Sequence, residues 1–328
     1  MSLDQPLQSA EGLELGTTPE DAAGLGSGRR PSFIRQAVIT QPQAIVGLAV
    51  LGFFVLVALV GPALLSQDPK TKVGPVFGSP SAEWPLGLDG GGANMIPLLI
   101  AGARVSLEVG FLAALVAMFI GGSVGLASGF FGGRIDTVLM RFTDYILVIP
   151  DIPLMVMAAA LFGRSLRNII IIIGIIYWTS TARLIRAQVL SVRERVYVKR
   201  SRSLGAGNNR LIFKHILPQV APLLVANTVL TIAVAIFDET ALAFLGLSDP
   251  TAITWGTMIE HAFERTAISA GAWWAIVPPG VAVSLVIMAC SLLGQAIEDA
   301  TNPRLRVAHL SIRGFRILPR LPGKAVLK

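Results

Sequence analysis

Apolar residues are concentrated in six stretches of this chain, and polar segments separate them. The stretches are residues 44–65, 109–131, about 137–163, 168–182, 216–237 with a continuation to 247, and about 278–297. An apolar helix of about 20 residues crosses the roughly 30 Å hydrocarbon core of a membrane. The pattern therefore predicts an all-α integral membrane protein with six transmembrane helices.

Two of the six stretches depart from a plain apolar run. The third is interrupted by Asp144 and by Pro150 and Asp151, and the fourth has only 15 uncharged residues. Fifteen residues rise about 22 Å in a helix, so the fourth helix must continue into the basic residues that follow. Residues 66–100 are rich in proline, glycine and aspartate and predict a long first extracytoplasmic loop.

Composition supports a membrane protein. The chain is 53% hydrophobic and 14% charged, with a mean hydropathy of +0.67, which excludes an ordinary soluble domain. The net charge of +7 comes from cations clustered at the ends of apolar runs, a pattern of membrane topology rather than of nucleic-acid binding. The single cysteine, Cys290, allows neither a disulfide framework nor a cysteine metal site.

Lysine and arginine set the predicted orientation. Of 27 such residues, 21 lie in the two tails, the connection between the second and third stretches, and residues 183–218. The positive-inside rule then places both termini and residues 183–218 in the cytoplasm. The chain divides into a disordered tail (1–35), the first helix and outer loop (36–101), a five-helix core (102–300) and a basic tail (301–328).

Residues 183–218, called the basic segment below, carry nine cations against one acid, Glu194. Apolar residues recur among the charges, which predicts two short amphipathic helices. The Gly-Ala-Gly sequence at 205–207 separates them, because glycine tolerates the positive φ of a tight turn. Asn208 or Asn209 is placed to cap the second helix. From the residues alone, a topological anchor and a docking surface both stay open.

Small residues recur at helical spacing in the second stretch. Gly121, Gly125, Gly129 and Gly133 follow one another every four residues. Such a row lets helix backbones approach closely. It predicts either packing within the chain or a surface that moves or faces another subunit.

Four acids lie in or near the apolar stretches, namely Asp144, Asp151, Asp238 and Glu239. Ionisable groups at membrane depth are costly and usually face a protein interior or a wet cavity. Asp144 lies one turn from Arg141, which predicts a pair within one helix. For Asp238 and Glu239, a place in a translocation pathway and a structural hydrogen bond both stay open.

Catalytic constellations are absent from the sequence. The three histidines (His215, His261 and His309) form no metal-binding motif with one another or with cysteine. No phosphate-binding G-x-x-x-x-G-K-[ST] occurs. The sequence predicts no enzyme, no metal and no cofactor in this chain, so a partner must supply the energy for any energised function.

Several motifs resemble the permease subunits of binding-protein-dependent (type I) ABC importers. The family's cytoplasmic loop reads E-A-A-x3-G-x9-I-x-L-P; Gly205, Leu217 and Pro218 match at that spacing, and Lys199 stands where the acid is usual. Further blocks resemble G-Y-F-G-G-x-x-D (129–136), E-A-x-L-S-F-L-G-L (239–247) and H-P-L-G-T-D (84–89). The resemblance covers about residues 40–306 and is nearest to C-type subunits of the dipeptide, oligopeptide and nickel branch.

This resemblance implies a function and its partners. The chain would form half of a pathway that imports peptides or a related small solute across a bacterial inner membrane by alternating access. The implied partners are a second homologous permease in a heterodimer, one or two cytoplasmic subunits that bind ATP and Mg²⁺, and an extracytoplasmic substrate-binding protein. A stand-alone secondary transporter or channel is the alternative, and it would need no ATPase.

The resemblance also implies functional residues. A coupling helix between the fourth and fifth spans would dock in an ATPase groove through the apolar face around Leu211 and Ile212. The predicted coupling residues are Lys199, Arg200, Ser201, Leu204, Gly205, Ala206, Arg210, Leu211, Ile212, His215, Leu217 and Pro218. The pathway is predicted to include Asp238 and Glu239. Contacts with the binding protein are predicted at Trp84, Asp89, Asn94 and Trp255.

Overall fold

A computed structural model describes residues 41–65 and 68–301 of the chain. The predicted tail 1–35, and the predicted tail 301–328 apart from its first residue, lie outside the described residues. Within the described part the chain is helical, and extended pairing is limited to two isolated bridges, Lys72–Ala93 and Leu88–Asn94. The helices are α1 (Pro42–Leu64), α2 (Met95–Phe131), α3 (Gly133–Leu147), α4 (Asp151–Phe162), α5 (Leu166–Arg193), α6 (Val196–Ser203), α7 (Asn208–Phe244), α8 (Trp255–Glu264) and α9 (Val277–Thr301).

Five of the described helices, α1, α2, α5, α7 and α9, are long and apolar enough to cross a membrane. The α3–α4 pair passes the same test together, with a bend of 85° between its halves. An all-helical membrane protein is therefore confirmed, and the count reaches the predicted six if the bent pair is one span. The predicted continuation of the fourth span is also present, since α5 runs for 28 residues to Arg193.

Proline explains the break between α3 and α4. Pro150 occupies the N-cap position of α4 with a φ of −60°, and α3 ends at Leu147. Proline lacks a backbone N–H and disfavours helical geometry in the residue before it. The sequence predicts the interruption of this span, but it does not reveal that the two halves run in such different directions.

α2 begins well before the apolar stretch that predicts it. It starts at Met95, because the Asn94 side chain accepts a hydrogen bond from the Ile96 N–H at 3.0 Å and caps the helix. Arg104 and Glu108 are both exposed on this extension. Charges on an exposed face do not end a helix, and the boundary expected at 101/102 therefore falls inside α2.

The glycine row of α2 packs against α5. A Cβ on Gly121, Gly125 or Gly129 would overlap atoms of α5, whereas a Cβ on Gly133 would meet nothing within 4 Å. Gly133 instead follows the break after α2 and has a φ of +55°. The first three glycines therefore fit packing within the chain, one of the two predicted roles, and Gly133 does not belong to that contact.

Candidate functional sites

The first candidate site is the turn that follows α6 in the basic segment. Gly205 has a φ of +83°, as predicted, in a region that residues with a side chain resist. Its N–H donates to the Arg202 carbonyl at 3.0 Å, and the Ala206 N–H donates to the Ser201 carbonyl at 3.1 Å. These bonds satisfy carbonyls at the end of α6 and fix the direction of the chain beyond it.

The residues after this turn do not form a separate short helix. α7 begins at Asn208 and passes through a widened π-helical turn, Leu211–Ile216, into the membrane-length helix. The N-cap position is Gly207 and has no side-chain hydrogen bond, so the predicted capping by Asn208 or Asn209 is wrong. Pro218 lies just after the widened turn, where a residue without an N–H is tolerated.

The apolar face that was predicted to dock is buried inside the chain. Leu211 is 0% exposed and Ile212 is 9% exposed. They form one cluster with residues of α2, α5 and α6, including Phe130, Val189 and Val198. These contacts hold the start of α7 in place, so Leu211 and Ile212 present no exposed face in this conformation, and their docking role stays a prediction.

Other apolar side chains of the same region face outward. Leu204, Val196 and Phe213 are 83%, 73% and 65% exposed. Arg200 and Arg210 are also exposed. Apolar side chains with cations around them are suited to contact a groove on a partner. The apolar pattern located this region, but the pattern alone does not separate its inner face from its outer face.

α6 and α7 are joined by polar contacts that include predicted residues. The Ser201 Oγ lies 3.3 Å from the His215 Nε2. The His215 ring lies 6.3 Å from the Tyr197 ring, centroid to centroid. Ala206 packs against the buried cluster below the turn, while Leu217 is half-buried and Pro218 is exposed. Ser201, Ala206 and His215, three of the predicted coupling residues, therefore take part in the contacts between α6 and α7.

Lys199, which stands where the family's acid is usual, contacts an acid from another position. Its Nζ lies 2.8 Å from a Glu194 carboxylate oxygen, and the two side chains are 62% and 59% exposed. The hydrogen bond from Lys199 holds the pKa of Glu194 below its usual range. An ion pair this exposed contributes little to stability. Its main effect is to place a positive and a negative charge side by side on the surface of the basic segment.

Arginines on α5 tie the basic segment to α2 and α3. Arg186 makes a two-point contact with the Asp136 carboxylate at 2.5 and 2.7 Å. Arg193 donates to the carbonyls of Gly129 and Phe130, both at 3.1 Å. Bidentate and charge-assisted contacts of this kind fix orientation as well as distance.

The predicted pair between Asp144 and Arg141 is wrong. Asp144 instead accepts a hydrogen bond from Arg183 at 2.6 Å, and both side chains are about half exposed. The physical reason is the length of α5, which carries Arg183 alongside α3.

The second candidate site is a cleft beside Asp238 on α7. Asp238 is 4% exposed and lines an open cleft of about 450 Å³ with Asp151, Tyr177 and Phe237. The Tyr177 hydroxyl interacts with the Asp238 carboxylate. The Oδ2 of Asp238 is buried and has no hydrogen-bond partner among the described residues. Sequence reasoning missed Tyr177, whose signal was a tyrosine within an otherwise apolar span.

Glu239 occupies a different environment from its neighbour. It is 0% exposed and is not among the residues that line the cleft. Both of its carboxylate oxygens lack a hydrogen-bond partner in the described part of the chain, although the Thr254 side chain interacts with it. Successive residues of a helix point about 100° apart, which separates the two acids. That Asp238 and Glu239 line a pathway stays a prediction.

Two of the loop residues predicted to contact a binding protein support the local fold. The Asp89 Oδ1 accepts hydrogen bonds from the N–H groups of Gly91 and Ala93 at 2.8 and 2.7 Å. Asn94 caps α2, as described above. Trp84 is half-buried. A contact between these residues and a partner stays a prediction.

Trp255 packs within the chain, and its contact with a binding protein stays a prediction. It is 1% exposed. Its backbone N–H donates to the Ser106 Oγ at 3.0 Å, and its indole N–H donates to the Leu99 carbonyl at 3.2 Å. Both partners lie on α2, so this tryptophan anchors α8 to the long second helix.

Comparisons with known proteins identify relatives of this chain. The family described as binding-protein-dependent transport system inner membrane component matches residues 122–307. The dipeptide transport system permease protein DppC of Alkalihalophilus pseudofirmus is 35% identical over 80% of this chain and 86% of its own length. The oligopeptide transport system permease protein OppC of Bacillus subtilis is 32% identical over 80% of this chain and 86% of its own. The glutathione transport system permease protein GsiD of Pectobacterium atrosepticum is 32% identical over 70% of this chain and 75% of its own length.

These matches, together with the membrane-length helices, define a multi-pass permease of the inner membrane. The chain belongs to the permease family of binding-protein-dependent (type I) ABC importers, the family that its motifs resemble.

Proposed function

We propose that this chain is one of two permease subunits of an ATP-driven importer and forms half of a translocation pathway for peptides or a related small solute. The relatives named for dipeptide, oligopeptide and glutathione transport support this range of cargo. Import proceeds by alternating access, in which the two permeases rock between inward-facing and outward-facing states. The work is driven by ATP and Mg²⁺ bound in partner subunits.

The exposed apolar and cationic surface at the end of α6 is the observation that carries this proposal. Leu204 is 83% exposed beside the fixed turn at Gly205, and the unit formed by α6 and the start of α7 is braced by a buried cluster. A rigid protrusion of this kind can transmit a movement, whereas a plain topological anchor needs no such bracing. We propose that this surface docks in a groove of a cytoplasmic ATPase subunit, of which the complex contains one or two.

Charge distribution supports the orientation that this docking requires. The excess of lysine and arginine in the tails and the basic segment supports a cytoplasmic location for both termini and α6. The loop between α1 and α2 then faces outward, where a substrate-binding protein delivers cargo. A second, homologous permease encloses the other half of the pathway.

Replacing Leu204 by aspartate tests the docking surface. Recovery of ATPase subunits with the tagged permease is expected to fall about tenfold or more, because burial of one leucine side chain contributes about 1.5–3 kcal/mol. Ile268 provides a matched control, since it is 66% exposed and lies in the loop after α8. Ile268→Asp is expected to leave the recovery unchanged, and mass spectrometry of the purified complexes measures both.

Two results would contradict the proposal. Equal recovery of ATPase with wild type and Leu204→Asp would remove Leu204 from the docking surface. The absence of any ATPase subunit from the wild-type preparation would favour a stand-alone transporter or channel.

The orientation is tested by cysteine labelling. Ser79 and Ser81 are exposed in the loop between α1 and α2, and Ser203 is exposed at the end of α6. Cysteine at either loop position is expected to react with an impermeant maleimide added to intact cells, whereas Ser203→Cys should react only after the membrane is opened. The native Cys290 is buried, which keeps the background low. Labelling of Ser203→Cys in intact cells, with labelling of the loop cysteines only after the membrane is opened, would show that the proposed orientation is wrong.

A further inference from the structure

The cleft beside Asp238 combines negative charge with aromatic surface. Asp151 and Asp238 line it together with Tyr177 and Phe237, and neither lysine nor arginine is among its lining residues. Phe237 is 53% exposed although it lies within the membrane-length α7. The cleft opens at the 85° bend between α3 and α4, because Asp151 begins α4 directly after Pro150.

One oxygen of the Asp238 carboxylate lacks a hydrogen-bond donor in the part of the chain that the structure describes. The residue is 4% exposed, and its Oδ2 has no hydrogen-bond partner among the described residues. A buried carboxylate oxygen without a partner is costly. The Tyr177 hydroxyl already interacts with the same carboxylate, so a donor arriving in the cleft would complete the bonding of this group.

The chemistry of the cleft favours an ammonium group over a metal ion. Within the described residues, no group of three histidine, cysteine, aspartate or glutamate side chains could hold a metal. Two carboxylates satisfy an ammonium group, which carries three N–H donors, and the aromatic rings of Tyr177 and Phe237 can contact a cation through their faces.

We propose that this cleft binds the positively charged ammonium group of a substrate, such as the amino terminus of a peptide, as it passes through the permease. This inference rests on the proposed function, because it identifies a substrate group for the pathway that Asp238 is predicted to line. Asp238 is the principal contact, and Asp151 and Tyr177 complete the site. Glu239 takes no part, since it does not line the cleft.

A pair of photoreactive probes tests the site directly. p-Azidobenzylamine carries an ammonium group at neutral pH, and p-azidobenzyl alcohol is an uncharged analogue of similar shape. After irradiation of the purified complex, mass spectrometry should locate the amine on residues 150–153 or 234–238. The Asp238→Asn variant is expected to lower this labelling about tenfold, the loss typical of a hydrogen bond to a charged group. Labelling by the alcohol should be the same in both proteins.

Two further variants keep the test decisive if Asp238→Asn does not assemble. Asp151 is exposed, so Asp151→Asn is expected to preserve the fold and to lower amine labelling about twofold to fivefold. Asp144→Asn removes an exposed acid that pairs with Arg183 outside the cleft, and it should leave the labelling unchanged. Equal labelling by amine and alcohol, or labelling that neither cleft variant changes, would overturn the proposal.

The ammonium site and the proposed import function can be tested independently of each other. The labelling needs neither ATP nor a binding protein, so loss of ATP-driven uptake with intact amine labelling would overturn the proposed function and leave the ammonium site standing. Normal ATP-driven peptide uptake without charge-selective labelling would overturn the ammonium site and leave the proposed function standing.

Discussion

The Gly205→Glu permease is expected to insert and assemble normally but to lose substrate uptake, while substrate no longer stimulates ATP hydrolysis. Gly205 has a φ of +83°, and a Cβ added there would meet nothing within 4 Å. The glutamate therefore causes no clash inside the chain. Its cost is the left-handed backbone, about 1–2 kcal/mol, together with a new charge and new bulk beside Leu204, where the ATPase is proposed to dock. Uptake and ATPase rates measured together in reconstituted vesicles report both effects.

A second glycine separates backbone strain from docking. Gly163 has a φ of +91° and equally open surroundings, but it lies between α4 and α5, at the end of α5 opposite the basic segment. Gly163→Glu also puts a side chain on a positive-φ backbone, here with a ψ of 159°, a region essentially restricted to glycine, and it is expected to remain coupled. Lys199→Glu, which restores the acid usual in the family, should be milder than Gly205→Glu. If Gly205→Glu vesicles show normal uptake and normal substrate stimulation of ATP hydrolysis, the basic segment acts only as a topological anchor.

The spans were predictable because the membrane imposes a simple rule on apolar length, but their ends were not. Arg104 and Glu108 interrupt the apolar stretch of the sequence, yet α2 begins before them, at Met95, and both charges lie on its exposed face. Apolar length detects the part of a helix that needs lipid. It does not detect an extension that charged residues interrupt, where capping and tertiary contacts decide the boundary.

Partners across the fold were harder to predict than elements along the chain. The sequence placed Asp144 beside Arg141, but the pair that forms uses Arg183 of α5. Leu211 and Ile212 belong to the predicted apolar stripe, but they are buried while Leu204 is exposed. Periodicity identifies an apolar face and leaves open what covers it. That answer depends on helices distant in sequence, here α2 and α5.

The buried acids show the same limit inside the membrane. Asp238 and Glu239 are adjacent, so sequence reasoning gave them one shared role. The structure places only Asp238 among the residues of the cleft, beside Tyr177 and Asp151. Their separation follows from helical geometry, but which acid meets the cleft depends on how α7 packs against α5 and α8.

Replacing Gly125 by valine is expected to cause the largest loss of stability among the substitutions considered. A Cβ at this position would lie 2.6 Å from the Ala182 carbonyl oxygen, 2.9 Å from the Ile185 Cβ and 3.1 Å from the Arg186 N. Two of these atoms are backbone, so α2 and α5 must separate. Overpacking of this kind costs about 1–3 kcal/mol, occasionally more, which should lower the thermal midpoint of the detergent-solubilised complex by several degrees and reduce its yield.

Gly52→Val is the matched control, because Gly52 lies in the middle of another membrane-length helix, α1, and a Cβ there meets nothing within 4 Å. It carries the same change in helix propensity without the clash, so its thermal midpoint should stay close to that of the wild type. If Gly125→Val matches this control, the glycine row is not a tight contact. A normal midpoint combined with lost uptake would instead mean that α2 and α5 repack during transport, which is the other role that the glycine spacing allows.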